Sequence, residues 1–260
     1  SSGYWDIFLT KYNSSGTKQW TKQLGSSKDK LGNRGEKGKD VTTDSSGNIY
    51  VTGSTSGDLD GNTALGAGDI FLVKYNSSGT KQWTKKLGTR SIDEGKGVTT
   101  DSSGNIYVTG VTLNCLDGNT GCGGYGDIFL VKYNSSGTKQ WTKQLGTSSR
   151  DEGKGVTTDS SGNIYVTGYT VGLENYIGLD GNTSLGTTDI FLTKYNSSGT
   201  KQWTKQFGTS SMDEGTGVTT DSSGNIYVTG STYLGGLDGN TSSGSYDIFL
   251  VKYNSDGVKQ

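Results

Sequence analysis

The sequence predicts an all-β fold, a β-propeller built from four-stranded antiparallel blades. A segment that begins with Asp-Ile-Phe-Leu occurs five times, 58 to 63 residues apart, at Asp6, Asp69, Asp127, Asp189 and Asp247. A second segment, close to Gly-Val-Thr-Thr-Asp-Ser-Ser-Gly-Asn-Ile-Tyr-Val-Thr-Gly, occurs between these copies. No apolar series has helical spacing. A period of this length indicates a repeat architecture made of β-strands.

Each repeat contains four predicted strands, named A to D in chain order. In one repeat, strands A (97–101) and B (106–109) flank an Asp-Ser-Ser-Gly-Asn turn, a pattern typical of a hairpin. Strand C (127–133) is apolar at successive positions, so we expect both of its faces to be covered. Strand D (138–145) alternates apolar and polar residues. A tryptophan recurs in strand D and is expected to pack against the next blade, at Trp20, Trp83, Trp141 and Trp203.

Four antiparallel strands per repeat, with an apolar middle and a half-polar edge, are typical of a propeller blade. A parallel β-solenoid is the alternative, but parallel strands need longer connections than these short turns. We predict four to five blades, alone or as part of a larger array, within a single repeat domain over 1–260. Its predicted parts are a half-blade of strands C and D at 4–25, blades at 38–88, 97–146 and 155–208, and an incomplete last blade at 217–260.

The predicted strands do not balance in a closed ring. The sequence contains four A–B pairs, five C strands and four D strands, so a four-blade ring has one surplus C strand. Three explanations remain open. The chain belongs to a longer array, or the N-terminal C–D pair closes the ring and displaces residues 247–260, or unpaired strand edges engage a neighbouring molecule.

Composition excludes several classes of function. The 260 residues include 44 glycines and no histidine, and 28% are hydrophobic, which suits many thin layers better than one large core. A net charge of −1 indicates neither a nucleic-acid partner nor an acidic membrane surface. No apolar run approaches the roughly 18 residues of a membrane span. Histidine-dependent nucleophilic triads are excluded.

The pattern G-x-G-V-x-x-D-S-S-G-N-I-Y-V-T-G, followed by D-I-F-L-V-K-Y-N-S-S-G-T-K-Q-W, resembles the SBBP family of β-propeller repeats over nearly the whole chain. This resemblance implies a propeller in a secreted or surface protein of bacteria, with a binding or structural role and no assigned chemistry. Strand D also resembles the tryptophan-docking strand of quinoprotein propellers. No acidic and amide cluster recurs with it, so a quinone cofactor is not expected.

One predicted face of the propeller varies between repeats. The A–B and C–D turns are nearly invariant, whereas the B–C and D–A connections differ in length and sequence. Because successive strands alternate in direction, these two kinds of connection emerge on opposite faces. Binding sites tend to lie on variable loops of a rigid scaffold, although neutral drift also diversifies loops. The predicted ligand face carries Arg90, Tyr125, Arg150, Glu174, Tyr176, Met212, Tyr233 and Tyr246.

Every B–C loop contains Leu-Asp-Gly-Asn-Thr, which resembles the opening of a calcium loop without its later bidentate glutamate. The alternative is a tight turn in which Asp and Asn bond to their own backbone and Gly takes a positive φ. The candidate calcium ligands are Asp58, Asp60, Asn62, Asp117, Asn119, Asp180, Asn182, Asp238 and Asn240. No other cofactor is expected.

Two further sets of residues carry potential chemistry. The adjacent acidic pairs at 93–94, 151–152 and 213–214 are expected to be solvated loop charge, because no pocket is evident for catalytic work on a sugar. Cys115 and Cys122 flank one loop and predict a loop-closing disulfide in an oxidising compartment. Two free thiols in a cytosolic loop are the alternative.

Together these features predict a non-enzymatic propeller, secreted or at the cell surface, that binds a protein or a glycan through its B–C/D–A face. The alternative is a structural subunit that binds copies of itself and builds a filament, sheath or lattice through blade edges and mismatched termini. An enzyme ranks third.

Overall fold

The computed structural model describes residues 5–26, 35–120, 122–172 and 177–260, and these ranges contain antiparallel β-sheets and no α-helix. The strands form five sheets that follow one another along the chain, as predicted for propeller blades. All pairing within the sheets is antiparallel, so the solenoid alternative is wrong. The fold is a β-propeller arrangement whose blades do not close into a barrel.

The half-blade contains β1 (Ile7–Tyr12) and β2 (Lys18–Leu24). Blade 1 contains β3 (Lys37–Thr43), β4 (Ile49–Thr55), β5 (Asp69–Tyr75) and β6 (Lys81–Leu87). Blade 2 contains β7 (Asp93–Thr100), β8 (Ile106–Thr112), β9 (Asp127–Tyr133) and β10 (Lys139–Leu145). Blade 3 contains β11 (Asp151–Thr158), β12 (Ile164–Val171), β13 (Thr188–Tyr195) and β14 (Lys201–Phe207). Blade 4 contains β15 (Asp213–Thr220), β16 (Ile226–Tyr233) and β17 (Tyr246–Tyr253).

Side chains of the repeated turns fix the hairpins. In the A–B turn of blade 2, the Asp101 carboxylate accepts hydrogen bonds from the Ser103 and Asn105 amides and from the Tyr107 hydroxyl. In the C–D turn, Asn134 Oδ1 accepts the Thr138 amide at 2.8 Å. These bonds occur in the same positions of the other blades. Asp and Asn therefore set the strand register locally, which is why the hairpins could be predicted.

The hydrophobic core lies between blades. In the first complete junction, Ile70 and Leu72 of blade 1 pack against Val108 and Phe129 of blade 2. Equivalent clusters join blades 2 and 3 and blades 3 and 4. Strand C of blades 1 to 3 is buried on both faces, as predicted. Trp83 of strand D is half-buried and packs against this core.

The A strands contact one another across successive blades and form the inner edge of the array. They begin earlier than predicted, since β7 starts at Asp93 and not near Gly97. A register shift between Gly95 and Gly97 carries the strand through its glycines. The apolar pattern is absent there, so the sequence did not indicate the first part of the strand.

The last repeat keeps its strand C. β17 pairs with β16 along its whole length, from Ile226–Tyr253 to Tyr233–Tyr246, and the half-blade forms a separate sheet. The N-terminal C–D pair therefore does not displace residues 247–260, and that explanation of the strand count is wrong.

Candidate ligand-binding site

The B–C and D–A connections are joined to each other on one face. The Val171 amide donates to the Arg150 carbonyl at 2.8 Å, and the Tyr233 amide donates to the Met212 carbonyl at 2.8 Å. The Tyr125 amide likewise donates to a carbonyl of the D–A loop, at 3.2 Å. The last residue of the D–A loop, Arg150 or Met212, therefore lies beside the end of strand B of the blade that the loop enters.

Three residues of the predicted ligand face converge around one cleft between blades 3 and 4. Arg150, Met212 and Tyr246 line a space of about 330 Å³ together with Lys154, Tyr169 and Glu214. Tyr246 is 67% exposed, and its ring centroid lies 4.8 Å from that of Tyr233. The cleft thus combines aromatic rings with both signs of charge.

The charged side of the cleft is organised around Glu152. Arg150 Nη2 donates to Glu152 Oε2 at 2.8 Å, and Arg150 Nε donates to the Tyr169 hydroxyl at 3.0 Å. Burial acts to raise the pKa of Glu152, but Arg150, Lys96 and Lys154 outweigh it and hold that pKa below its usual value. Glu152 is therefore an anion that fixes the position of the Arg150 guanidinium.

A row of ion pairs runs along the inner edge toward the cleft. Lys96 lies 2.5 Å from Glu94 and 3.4 Å from Glu152, and Lys154 pairs with Glu214. The Lys154 ammonium also lies 5.4 Å from the Tyr169 ring centroid, a cation–π contact. These contacts preorganise the polar wall of the cleft.

The prediction of solvated loop charge is wrong for the aspartates of the acidic pairs and also for Glu152, which is 4% exposed. Asp93, Asp151 and Asp213 begin A strands and are buried, with at most 1% exposure. Successive side chains of a strand point to opposite faces, so the glutamates turn to the inner edge while the aspartates turn into the blade junctions.

The other predicted face residues lie elsewhere. Tyr125 is exposed in the B–C loop of blade 2, and Arg90 is exposed in the D–A loop before β7; neither lines the cleft. Glu174 and Tyr176 lie outside the described residues. Tyr169 and Lys154 were not singled out by sequence. Comparison of equivalent strand positions identifies Tyr169, because the other repeats carry Ser54, Val111 and Ser231 there.

The Asp-Gly-Asn loops do not fit a calcium ion. The aspartate of each loop has a positive φ and pairs with a lysine of strand D, as Asp60–Lys81, Asp117–Lys139, Asp180–Lys201 and Asp238–Lys259. The amides of Asn62, Asn119, Asn182 and Asn240 donate to the preceding leucine carbonyls. Asp58 Oδ1 accepts the Ala64 amide. Within the described ranges, no three His, Cys, Asp or Glu side chains are grouped for a metal. The geometry supports the tight-turn interpretation.

The predicted disulfide is confirmed. Cys115 and Cys122 are bonded, with their Cα atoms 5.3 Å apart, within the range usual for a disulfide. The bond closes the B–C loop of blade 2 and limits its freedom.

A family model described as a beta-propeller repeat, SBBP, matches residues 19–60, 82–114, 140–175 and 202–243. The regulatory protein FlaEY of Caulobacter vibrioides is 29% identical over 236 residues, which cover 82% of this chain and 25% of that protein. An uncharacterized WD repeat-containing protein, L264, of Acanthamoeba polyphaga mimivirus is 31% identical over 225 residues, 69% of this chain and 16% of that protein. The chain thus spans a quarter or less of the length of these relatives.

Two solved structures are similar over nearly the whole chain. A luciferin-regenerating enzyme is 12% identical with a TM-score of 0.44, covering 98% of this chain and 68% of the enzyme. A protein of unknown function from Bacteroides caccae is 11% identical with a TM-score of 0.35, covering 95% of this chain and 87% of that protein. Across the residues that the structure describes, no helix has the length and apolar character needed to cross a bilayer. Because the SBBP matches cover more than half of the residues, the chain belongs to the SBBP family of β-propeller repeats.

Proposed function

We propose that this SBBP-family chain is a non-enzymatic binding module whose B–C/D–A face captures a protein or a glycan, centred on the cleft between blades 3 and 4. The divergence of the repeats at this cleft carries the proposal. The residue before strand A is Ile92, Arg150 or Met212 in successive repeats. The residue before the aspartate of strand C is Gly68, Gly126, Thr188 or Tyr246.

The opposite face supports the same assignment by contrast. Its A–B turns are identical in all four copies, and its C–D turns differ only in the last repeat. Such a face presents one shape several times. The cleft, in comparison, brings together a combination of side chains that occurs once in the chain. A unique combination on a rigid scaffold is what specific recognition requires.

The chemistry of the cleft suits a sugar ring or a peptide side chain. Tyr246 offers an exposed aromatic face, and Arg150 and Glu214 offer a fixed donor and an acceptor beside it. The disulfide between Cys115 and Cys122 supports an oxidising location. We therefore propose that the protein is secreted or displayed on a bacterial surface.

Replacing Tyr246 by serine is expected to weaken ligand capture at least tenfold, since exposed tyrosines at a binding centre commonly dominate affinity. The measurement is binding of the purified chain to glycan and peptide arrays, followed by titration of each positive ligand. Tyr12→Ser is the matched control, because Tyr12 is also exposed but ends β1, away from the cleft. Equal capture by wild type and Tyr246→Ser would contradict the proposal, as would an equal loss in both variants.

A second candidate function is a structural subunit, which one observation favours. Ile248 and Leu250 of β17 are 92% and 72% exposed, whereas the equivalent Ile190 and Leu192 are fully buried against the next blade. At the other end, Phe8 of β1 is 75% exposed. The two ends thus expose the two faces that pack together inside the chain. A contact of this kind between copies is head-to-tail and can extend into a filament.

Under this second function, Ile248→Lys is expected to convert assemblies into 27.4 kDa monomers, because an ammonium cannot be buried in the apolar junction. Light scattering of the purified chain measures the mass. Ile177→Lys is the control, since Ile177 is 84% exposed in a B–C loop. A wild-type chain that is monomeric at every concentration, or assembly unchanged by Ile248→Lys, would contradict the subunit function.

A further inference from the structure

Within the described ranges, the B–C loop of each of the four blades exposes a large hydrophobic side chain. These are Leu65, Tyr125, Ile177 and Leu234 in blades 1 to 4, and each of them is more than half exposed. The described A–B and C–D turns of the opposite face expose one such residue, Val258. Single exposed apolar residues are common, but their concentration on one face of a protein indicates an interaction surface.

The loop of blade 1 does not need its apolar residue. The Leu65 amide donates to Asp69 Oδ2 at 2.9 Å. In blade 4 the equivalent residue is Ser243, whose amide donates to Asp247 Oδ2 at 3.1 Å. Serine therefore makes the same backbone bond without exposing apolar surface. The conformation of the loop gives no reason for a leucine at residue 65, so we look for the reason outside the chain.

Leu234 exposes its side chain from a backbone conformation that disfavours leucine. Its φ is +51°, and the other described non-glycine residues with a positive φ are the aspartates of the four Asp-Gly turns. Left-handed backbone brings Cβ close to a carbonyl oxygen, so glycine or asparagine adopts it at a lower cost than leucine. Strain at an exposed apolar residue supports a role in binding.

The loops hold these side chains in place. The Leu234 amide donates to the Ser245 carbonyl at 3.0 Å, and the Tyr125 amide donates to a carbonyl of the D–A loop at 3.2 Å. Ile177 forms an antiparallel bridge with Thr183 across its own loop. Residues on an anchored backbone lose little freedom on binding, which lowers the entropic cost of association.

We propose that the partner captured at the B–C/D–A face is a folded protein with an exposed apolar surface, and that the contact extends from the cleft to the B–C loop of blade 1. This inference rests on the proposed binding function and selects the protein over the glycan. A protein interface takes about 20–30 residues from each side and so reaches several blades, whereas a sugar ring fills one cleft. Leu65 and Leu234 offer a sugar neither a side-chain hydrogen bond nor an aromatic face.

A lipid bilayer is the other apolar partner that exposed loops contact. The charged residues of the cleft favour the protein. The Arg150 guanidinium is held by Glu152, and Lys154 pairs with Glu214. Oriented charges among apolar contacts give a protein partner its register, whereas desolvating them at a bilayer is costly.

The test applies the purified chain to an array of purified folded proteins, with a glycan array and phosphatidylcholine vesicles in parallel, and titrates every captured protein. Leu65→Ser and Leu234→Asn are each expected to weaken protein capture at least about fivefold, since each removes an apolar side chain that the partner buries. Leu65→Ser copies Ser243, and asparagine suits a left-handed backbone, so neither variant should lower the unfolding temperature. An unchanged unfolding temperature shows that lost capture does not come from misfolding.

Val258→Thr is the matched control, because Val258 is exposed on the opposite face and the other four C–D turns carry threonine there. It should capture the same proteins with unchanged affinity. Capture of glycans alone, reduced by Tyr246→Ser, would overturn this inference and leave the binding function standing, whereas capture of neither class would remove both. Protein capture that is unchanged in Leu65→Ser and Leu234→Asn would overturn it, as would binding of the vesicles in place of proteins.

Discussion

Replacing Phe129 by alanine is expected to lower the free energy of unfolding by about 3–5 kcal/mol. Phe129 is fully buried in the core between blades 1 and 2, where it packs with Ile70 and Val108. Removing its ring leaves a cavity that two rigid sheets cannot close. Urea denaturation of the whole chain, followed by tryptophan fluorescence, measures the change.

The half-blade provides a matched control for this effect. Phe8 occupies the equivalent position of β1 but is 75% exposed, so Phe8→Ala is expected to change the free energy of unfolding by less than about 0.5 kcal/mol. A similar loss in both variants would show that packing between blades is not the source of the stability. A near-neutral Phe129→Ala would lead to the same conclusion.

Replacing Gly110 by alanine is expected to destabilise the chain by about 3 kcal/mol, at the upper end of the cost of overpacking. Its Cβ atom would lie 1.9 Å from the Glu94 carbonyl oxygen and 2.9 Å from the Phe129 ring. Backbone of the paired strand cannot move aside without breaking the register at the Gly95–Gly97 shift. Gly53, Gly168 and Gly230 are equally close to a carbonyl oxygen of their own A strands.

Gly123 is the matched control for Gly110. An alanine Cβ there has no neighbour within 4 Å, and the φ of Gly123 is not positive. We expect Gly123→Ala to change the free energy of unfolding by less than about 0.5 kcal/mol. Equal effects of the two substitutions in chemical denaturation would contradict the close approach of strands A and B.

The hairpins and the blade type could be predicted because their signals are local. Asp101 and Asn134 fix their turns through bonds to residues at most six positions away. The apolar run of strand C indicates two covered faces whatever lies on them. Local patterns of this kind repeat in every blade, so several copies of the same signal predict the blade type.

The burial of the aspartates could not be predicted from local patterns. Asp151 and Glu152 are adjacent and both acidic, yet one enters a blade junction and the other the inner edge. Both side chains are buried, at 0% and 4% exposure, and what each of them contacts depends on the neighbouring blade, which is far away in sequence. Gly95 and Gly97 also interrupt the apolar pattern of β7, so the sequence does not predict that this strand begins at Asp93.

The cleft was predictable only in part. Variation between repeats identified Arg150, Met212 and Tyr246, which lie at loop ends. Tyr169 lies inside strand β12, where a tyrosine is an ordinary β-sheet residue. The position of Tyr169 in the wall of the cleft is recognised only from the structure or from a comparison of equivalent strand positions.

The central claim is that the B–C/D–A face, and not the opposite face, captures the ligand. The most direct test attaches polyethylene glycol to one introduced cysteine, Ser210→Cys in a D–A loop or Ser161→Cys in an A–B turn, both exposed. The native cysteines are joined in a disulfide, so only the new thiol reacts. Binding to the array ligands is then measured with and without the label. The label at residue 210 is predicted to reduce capture at least tenfold and the label at residue 161 to leave it unchanged; loss only with the label at 161, or equal loss with both, would contradict the account.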